Sequence, residues 1–79
     1  MARVHVHTLE FTDRNRLASA FERIISDERV ESCMVETEEL RIRFVSTTER
    51  ATPLIERIYL EGGLRFSQRH PLGIGLSPV

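Results

Sequence analysis

The chain has no lysine and no tryptophan, and only one cysteine and one tyrosine among its 79 residues. A lone cysteine excludes an internal disulfide and any paired-cysteine metal motif. No apolar run is long enough for a membrane-spanning helix, and Met1–His7 lacks the apolar core of a signal peptide. A reducing, cytoplasmic setting is therefore the expectation. Proline and glycine are too sparse for a linker or a low-complexity segment, and no glycine-rich loop precedes a helix, so no phosphate cradle is foreseen. Without lysine, all 11 basic side chains are arginine. A GC-rich genome accounts for that bias, and so does a use for bidentate contacts to carboxylate or phosphate.

What is present describes a small globular domain. Hydrophobic residues make up 41% and charged residues 29%, with a formal net charge of -1, so the chain is neither disordered nor basic throughout. A chain of this length supports one modest core, which a partner or oligomerisation often completes.

The clearest pattern is the stretch Val30–Val45, two alternating runs meeting at Glu38-Glu39. Folding back there sets Thr37 against Leu40, Val35 against Ile42 and Cys33 against Phe44, all on one side of a hairpin. Glu36 then opposes Arg41, and Met34 opposes Arg43, on the other side. Two glutamates suit a tight primed turn poorly, because it demands positive φ; a four-residue loop over Thr37–Leu40 keeps the register without that demand. The inward parity of Cys33 makes it a small buried apolar group and no nucleophile.

The rest of the chain supplies two more strands and two helices. Ala2–Leu9 alternates, with Val4, Val6 and Thr8 assigned inward and Arg3, His5 and His7 outward. Thr12 or Asp13 can cap a helix whose apolar stripe is Leu17, Ala20, Phe21 and Ile24, running to about Asp27. Ser46–Pro53 forms a second helix entry, with Pro53 suited to the first turn. Its stripe is Leu54, Ile55 and Ile58, and Gly62-Gly63 ends it. Leu64–Arg69 reads as the last strand, Leu64 and Phe66 inward, Arg65, Ser67 and Arg69 outward. The order predicts an α+β, ferredoxin-like βαββαβ sandwich over residues 1–70, with two helices on one face of a four-stranded antiparallel sheet. Residues 71–79 form an apolar tail, whose Leu72, Ile74 and Leu76 either pack on the domain or reach a partner's sheet edge.

On these parities the open sheet face gathers Arg3, His5, His7, Arg41, Arg43, Arg65 and Arg69, with Glu36 as its one acid. Three uses compete with an ordinary solvated surface. Arg3, Arg41, Arg43, Arg65 and Arg69, with Leu72, Ile74 and Leu76, suit contact with an acidic protein partner or a second copy of the chain. RNA is disfavoured, since phosphate contacts survive but Phe44 and Phe66 are assigned to the core and leave no stacking platform. A metal ion on His5, His7 and His70 is the third use, weakly signalled by the His-X-His spacing. No catalytic arrangement is suggested, no cofactor is called for, and the expectation is a non-catalytic interaction or regulatory module.

Val30-Glu-Ser-Cys-Met-Val, Leu40-Arg-Ile-Arg-Phe, Pro53-Leu-Ile-Glu-Arg-Ile and Gly63 resemble heavy-metal-associated, copper-chaperone-like domains. The resemblance implies the same topology. The metal-binding Cys-X-X-Cys of that family falls where this chain has Leu9–Arg16, without a thiol, so no ligand residue carries over. Phe11-Thr-Asp-Arg-Asn-Arg-Leu-Ala through Val30-Glu-Ser is similar to ACT regulatory domains. That likeness implies dimerisation and a small effector near Asp13, although the glycine usual in that turn is replaced by Asn15 or Arg16.

Overall fold

A computed structural model describes residues 4–28 and 30–71. Its elements are β1 (Val4–Phe11), α1 (Arg14–Ile25), β2 (Ser32–Glu36), β3 (Arg41–Thr47), α2 (Thr48–Glu61) and β4 (Leu64–Pro71). The strands form one antiparallel sheet in the order β2-β3-β1-β4. The fold is thus α+β, with β3 and β1 central and β2 and β4 at the edges.

The central hairpin has the expected register. Cys33 pairs with Phe44, Met34 with Arg43, Val35 with Ile42 and Glu36 with Arg41. The Leu40 N–H closes the turn on the Thr37 carbonyl at 3.1 Å. Positive φ does occur in this loop, but at Leu40 (54°) and not at either glutamate. The Leu40 carbonyl in turn accepts the Phe11 N–H at 2.8 Å, tying the loop to the end of β1.

Helix α1 starts at Asp13, whose carboxylate accepts the Arg16 N–H at 2.9 Å and satisfies one of the free donors of the first turn. Leu17, Ala20 and Ile24 are buried along its inner stripe. Helix α2 begins earlier than the proline suggests. Thr47 caps it by accepting the Arg50 N–H at 3.2 Å, and Pro53 lies inside the helix. Its buried stripe is Ala51, Leu54 and Ile58.

Both helices pack chiefly over β1 and β3. The core is Leu9, Phe11, Ile42 and Phe44 from those strands, with Leu17, Ala20 and Ile24 from α1 and Ala51, Leu54 and Ile58 from α2. The helix-facing side of β1 is therefore the side bearing His5, His7, Leu9 and Phe11, the opposite of the parity expected for this strand. Leu9 and Phe11 decide it. Two large apolar groups gain more by burial than Val4, Val6 and Thr8, at about 25 cal/mol per Å². His7 travels inward with them and is only 3% exposed.

Strand β4 departs from its expected parity too. Phe11 pairs with Leu64 but Glu10 pairs with Phe66, so Arg65 is the extra residue of a β-bulge. Leu64 packs against the core as expected, whereas Phe66 is carried to the open face and is 44% exposed. At the corner before β4, Gly62 and Gly63 both have positive φ, 95° and 89°. The Arg16 side chain lies across Gly63, its Nη1 donates to the Glu61 carbonyl at 2.9 Å, and the Thr12 N–H donates to the Gly63 carbonyl at 2.9 Å. This corner joins the entry of α1 to the exit of α2.

Candidate functional site

The sheet face away from the helices is built from four cross-strand rows. The register aligns Ser32, Val45, Val6 and His70, then Met34, Arg43, Thr8 and Gln68, then Glu36, Arg41, Glu10 and Phe66, with Val4 and Thr47 beyond. Residues in one row share a face because directly paired side chains point the same way. A shallow groove of about 460 Å³ runs over Val6, Thr8, Glu10, Phe66 and Gln68.

Charge on this face is balanced. Arg41 Nε donates to Glu10 at 3.2 Å and its Nη1 to Glu36 at 3.1 Å, and Arg43 approaches Glu36 at 3.7 Å. Two arginines thus meet two glutamates. The Arg41 pKa is pushed up, first by its hydrogen bond to Glu36; desolvation opposes the shift, and the hydrogen bond to Glu10 adds to it. The expected basic face does not form, for two reasons. Inversion of β1 brings Glu10 onto the open side and takes His5 and His7 off it. The bulge likewise removes Arg69, which pairs with His7, and leaves Phe66 in its place.

What the face has instead is apolar surface. Met34 is 59% exposed and Phe66 44%. Val6 and Val45, directly paired, are half-buried between them. Sequence reasoning passed over Phe66 and Val6 because it placed both in the core. The signal that could have found them was Leu9-Glu-Phe11, whose two large apolar residues fix the inner parity of β1.

The three histidines are divided between the two faces. His5 Nδ1 lies 3.1 Å from Thr48 Oγ1, and the His5 and His7 rings are 6.2 Å apart on the helix side. His70 pairs with Val6 on the open side. The expected three-histidine metal site therefore does not assemble, and no group of three or more potential ligands occurs among the described residues. Arg3, Leu72, Ile74 and Leu76 lie outside the described residues.

His7 is the most unusual polar residue of the fold. Its ring stacks on Phe44 with centroids 5.1 Å apart, and Nε2 lies 3.3 Å from the Ser46 carbonyl. A carbonyl only accepts, so Nε2 carries the hydrogen. Burial lowers the His7 pKa, the hydrogen bond to Ser46 opposes that shift, and the charges of His5 and Arg69 add to the lowering. Cys33 shares this side of the sheet, half-buried, with its thiol pKa pushed up by desolvation.

No protein-family model matches this chain, and no curated protein or solved structure matches it significantly. The geometry of the two sheet faces is therefore what bears on function. No helix among the described residues is long and apolar enough to cross a membrane.

Proposed function

We propose that this chain is a small non-catalytic interaction module on a ferredoxin-like framework, pairing with a second copy of itself through its open sheet face. The strand order β2-β3-β1-β4, with one helix after β1 and one after β3, supports the ferredoxin-like assignment. The observation that carries the functional reading is the pairing of charges around exposed Met34 and Phe66 and half-buried Val6 and Val45. Arginines and glutamates that already satisfy one another need no external counter-ion when water is removed, and apolar and aromatic groups beside them gain by that removal. A two-fold partner brings the same patch, so Arg43 of one copy can face Glu36 of the other. This neutrality favours a second copy over an acidic partner. It also weakens the RNA reading, because one exposed phenylalanine is a small stacking platform.

Sedimentation equilibrium on the full chain tests the proposal. The wild type is expected to dimerise, and Phe66→Glu and Met34→Glu, both at exposed positions, are expected to shift the mass to monomer. A wild-type monomer at high micromolar concentration, or glutamate variants with unchanged association, would sink it.

A further inference from the structure

On the opposite side of the sheet, α2 and β4 do not close against each other. A groove of about 340 Å³ separates them, lined by His7, Thr48, Thr52, Ile55, Ser67 and Arg69, with Gln68 at its margin. The volume is at the lower end of small-molecule sites.

We propose that this groove binds a small hydroxy carboxylate, with the carboxylate on Arg69 and the hydroxyl hydrogen on His7 Nδ1. The chemistry follows from the state of each side chain. His7 is 3% exposed and spends its Nε2 hydrogen on the Ser46 carbonyl. In the neutral ring Nδ1 is then a lone-pair acceptor, and it has no hydrogen-bond partner among the described residues. The His7 ring lines the groove, so this acceptor is available to a donor from whatever fills it.

Arg69 is the direct cross-strand partner of His7, on the same face, and pairs with no carboxylate among the described residues. A guanidinium of this kind takes a carboxylate through two parallel hydrogen bonds. Thr52 Oγ1 gives its hydrogen to the Thr48 carbonyl at 2.8 Å, so it has none to offer the ligand and leaves His7 as the partner of the hydroxyl. Ile55 supplies an apolar wall for a short carbon chain. The site thus asks for an anion at one end and a hydrogen-bond donor at the other. Unsubstituted fatty acids meet only the first requirement.

The titratable and charged groups facing His7 are His5 on its own strand and Arg69 on β4. Helix α2 contributes only Thr48, Thr52 and Ile55 to the groove, and β3 contributes the Phe44 ring and the Ser46 carbonyl. Protonating His7 would turn the acceptor into a second donor, so hydroxy-acid selectivity belongs to neutral pH.

The test is a titration of the isotope-labelled full chain near neutral pH with L-lactate and, separately, with propionate, which has the same carboxylate and carbon chain but no hydroxyl. The expected result is a shift of the His7 Nδ1 resonance with lactate and affinity for lactate about fivefold above that for propionate, the worth of one neutral hydrogen bond. Arg69→Gln, an exposed substitution, is expected to weaken lactate binding about tenfold by removing a charged hydrogen bond, with no change in melting temperature. Lactate and propionate binding alike, no shift at His7 at tens of millimolar lactate, or unchanged binding in Arg69→Gln would each overturn the assignment. The dimer proposal concerns the other face and survives any of these outcomes.

Discussion

Replacing Gly63 with alanine should damage this fold more than the same change one residue earlier. Both glycines have positive φ, 95° at Gly62 and 89° at Gly63, so alanine costs about 1–2 kcal/mol of backbone strain at Gly63 and about 1–3 kcal/mol at Gly62, whose ψ of 162° lies in a region nearly confined to glycine. They differ in what a new methyl group meets. At Gly62 the nearest atom is Arg16 Cζ at 4.0 Å, an ordinary contact with the far end of a flexible side chain. At Gly63 the methyl would lie 2.4 Å from Arg16 Cγ, 2.7 Å from Cβ and 2.8 Å from Cδ. Those atoms are close to the helix backbone and cannot swing aside, so overpacking adds about 1–3 kcal/mol. Gly63→Ala should therefore lose roughly 2–5 kcal/mol, against a total of about 4–12 kcal/mol expected for a domain of this size. Urea unfolding followed by circular dichroism measures it. Arg16→Gly removes all three close atoms, at a separate cost of about 1 kcal/mol for helix propensity. In the double variant about 1–3 kcal/mol of the Gly63 penalty should return. Equal losses for the two alanine variants, or strict additivity with Arg16→Gly, would refute the view that the Arg16 contact locks this corner.

Three further outcomes are expected. Because the folded His7 pKa lies below its ordinary value of 6.5, the unfolded chain binds that proton more readily. The stability held by neutral His7 is thus complete above 6.5 and is lost as pH falls toward the lowered folded value. Urea midpoints between about pH 7 and pH 5 should show this decline, and His7→Gln should remove the part due to His7. Asp13→Ala should cost about 1 kcal/mol in the same assay, because the Arg16 N–H loses its cap acceptor. Cys33, with its thiol pKa raised by burial, should react with a disulfide reagent at mildly alkaline pH more slowly than free cysteine, and should speed up to the free rate in denaturant.

The hairpin could be read from sequence because both of its strands alternate cleanly and the loop length links their registers. Cys33, Val35, Ile42 and Phe44 are accordingly where their parity puts them. Strand β1 could not be read in the same way. Its first residues set valine against histidine, a contrast that points the valines inward, while Leu9 closes the expected strand and Phe11 falls in the expected turn into α1. In the folded sheet those two residues dominate, and His7 is buried because it shares their side. The bulge at Arg65 had no local signature, since an extra residue in a strand is visible only when its partner's register is known. The early start of α2 shows a different limit. The cap at Thr47 governs the helix, and the more conspicuous Pro53 merely sits within it. The candidate site suffered most from these errors, because a one-residue shift of parity exchanges the two faces of a strand.

Among the described residues, none of the ten buried apolar side chains comes from β2 or β4. The inner strands and the two helices hold the fully buried contacts, while Cys33 and Val35 of β2 and Leu64 of β4 pack against them only in part. Resistance to amide exchange should therefore fall in steps from the centre outward, with β1 and β3 opening only when the whole domain unfolds. Strand β4 should fray from β1 at a lower free energy and leave the inner unit standing. Each such opening would bare the outer edge of β1, a row of unpaired peptide groups. The same edge that completes the sheet in one molecule could then accept β4 from another, so the margin that stabilises the fold least is the one that governs strand exchange between copies.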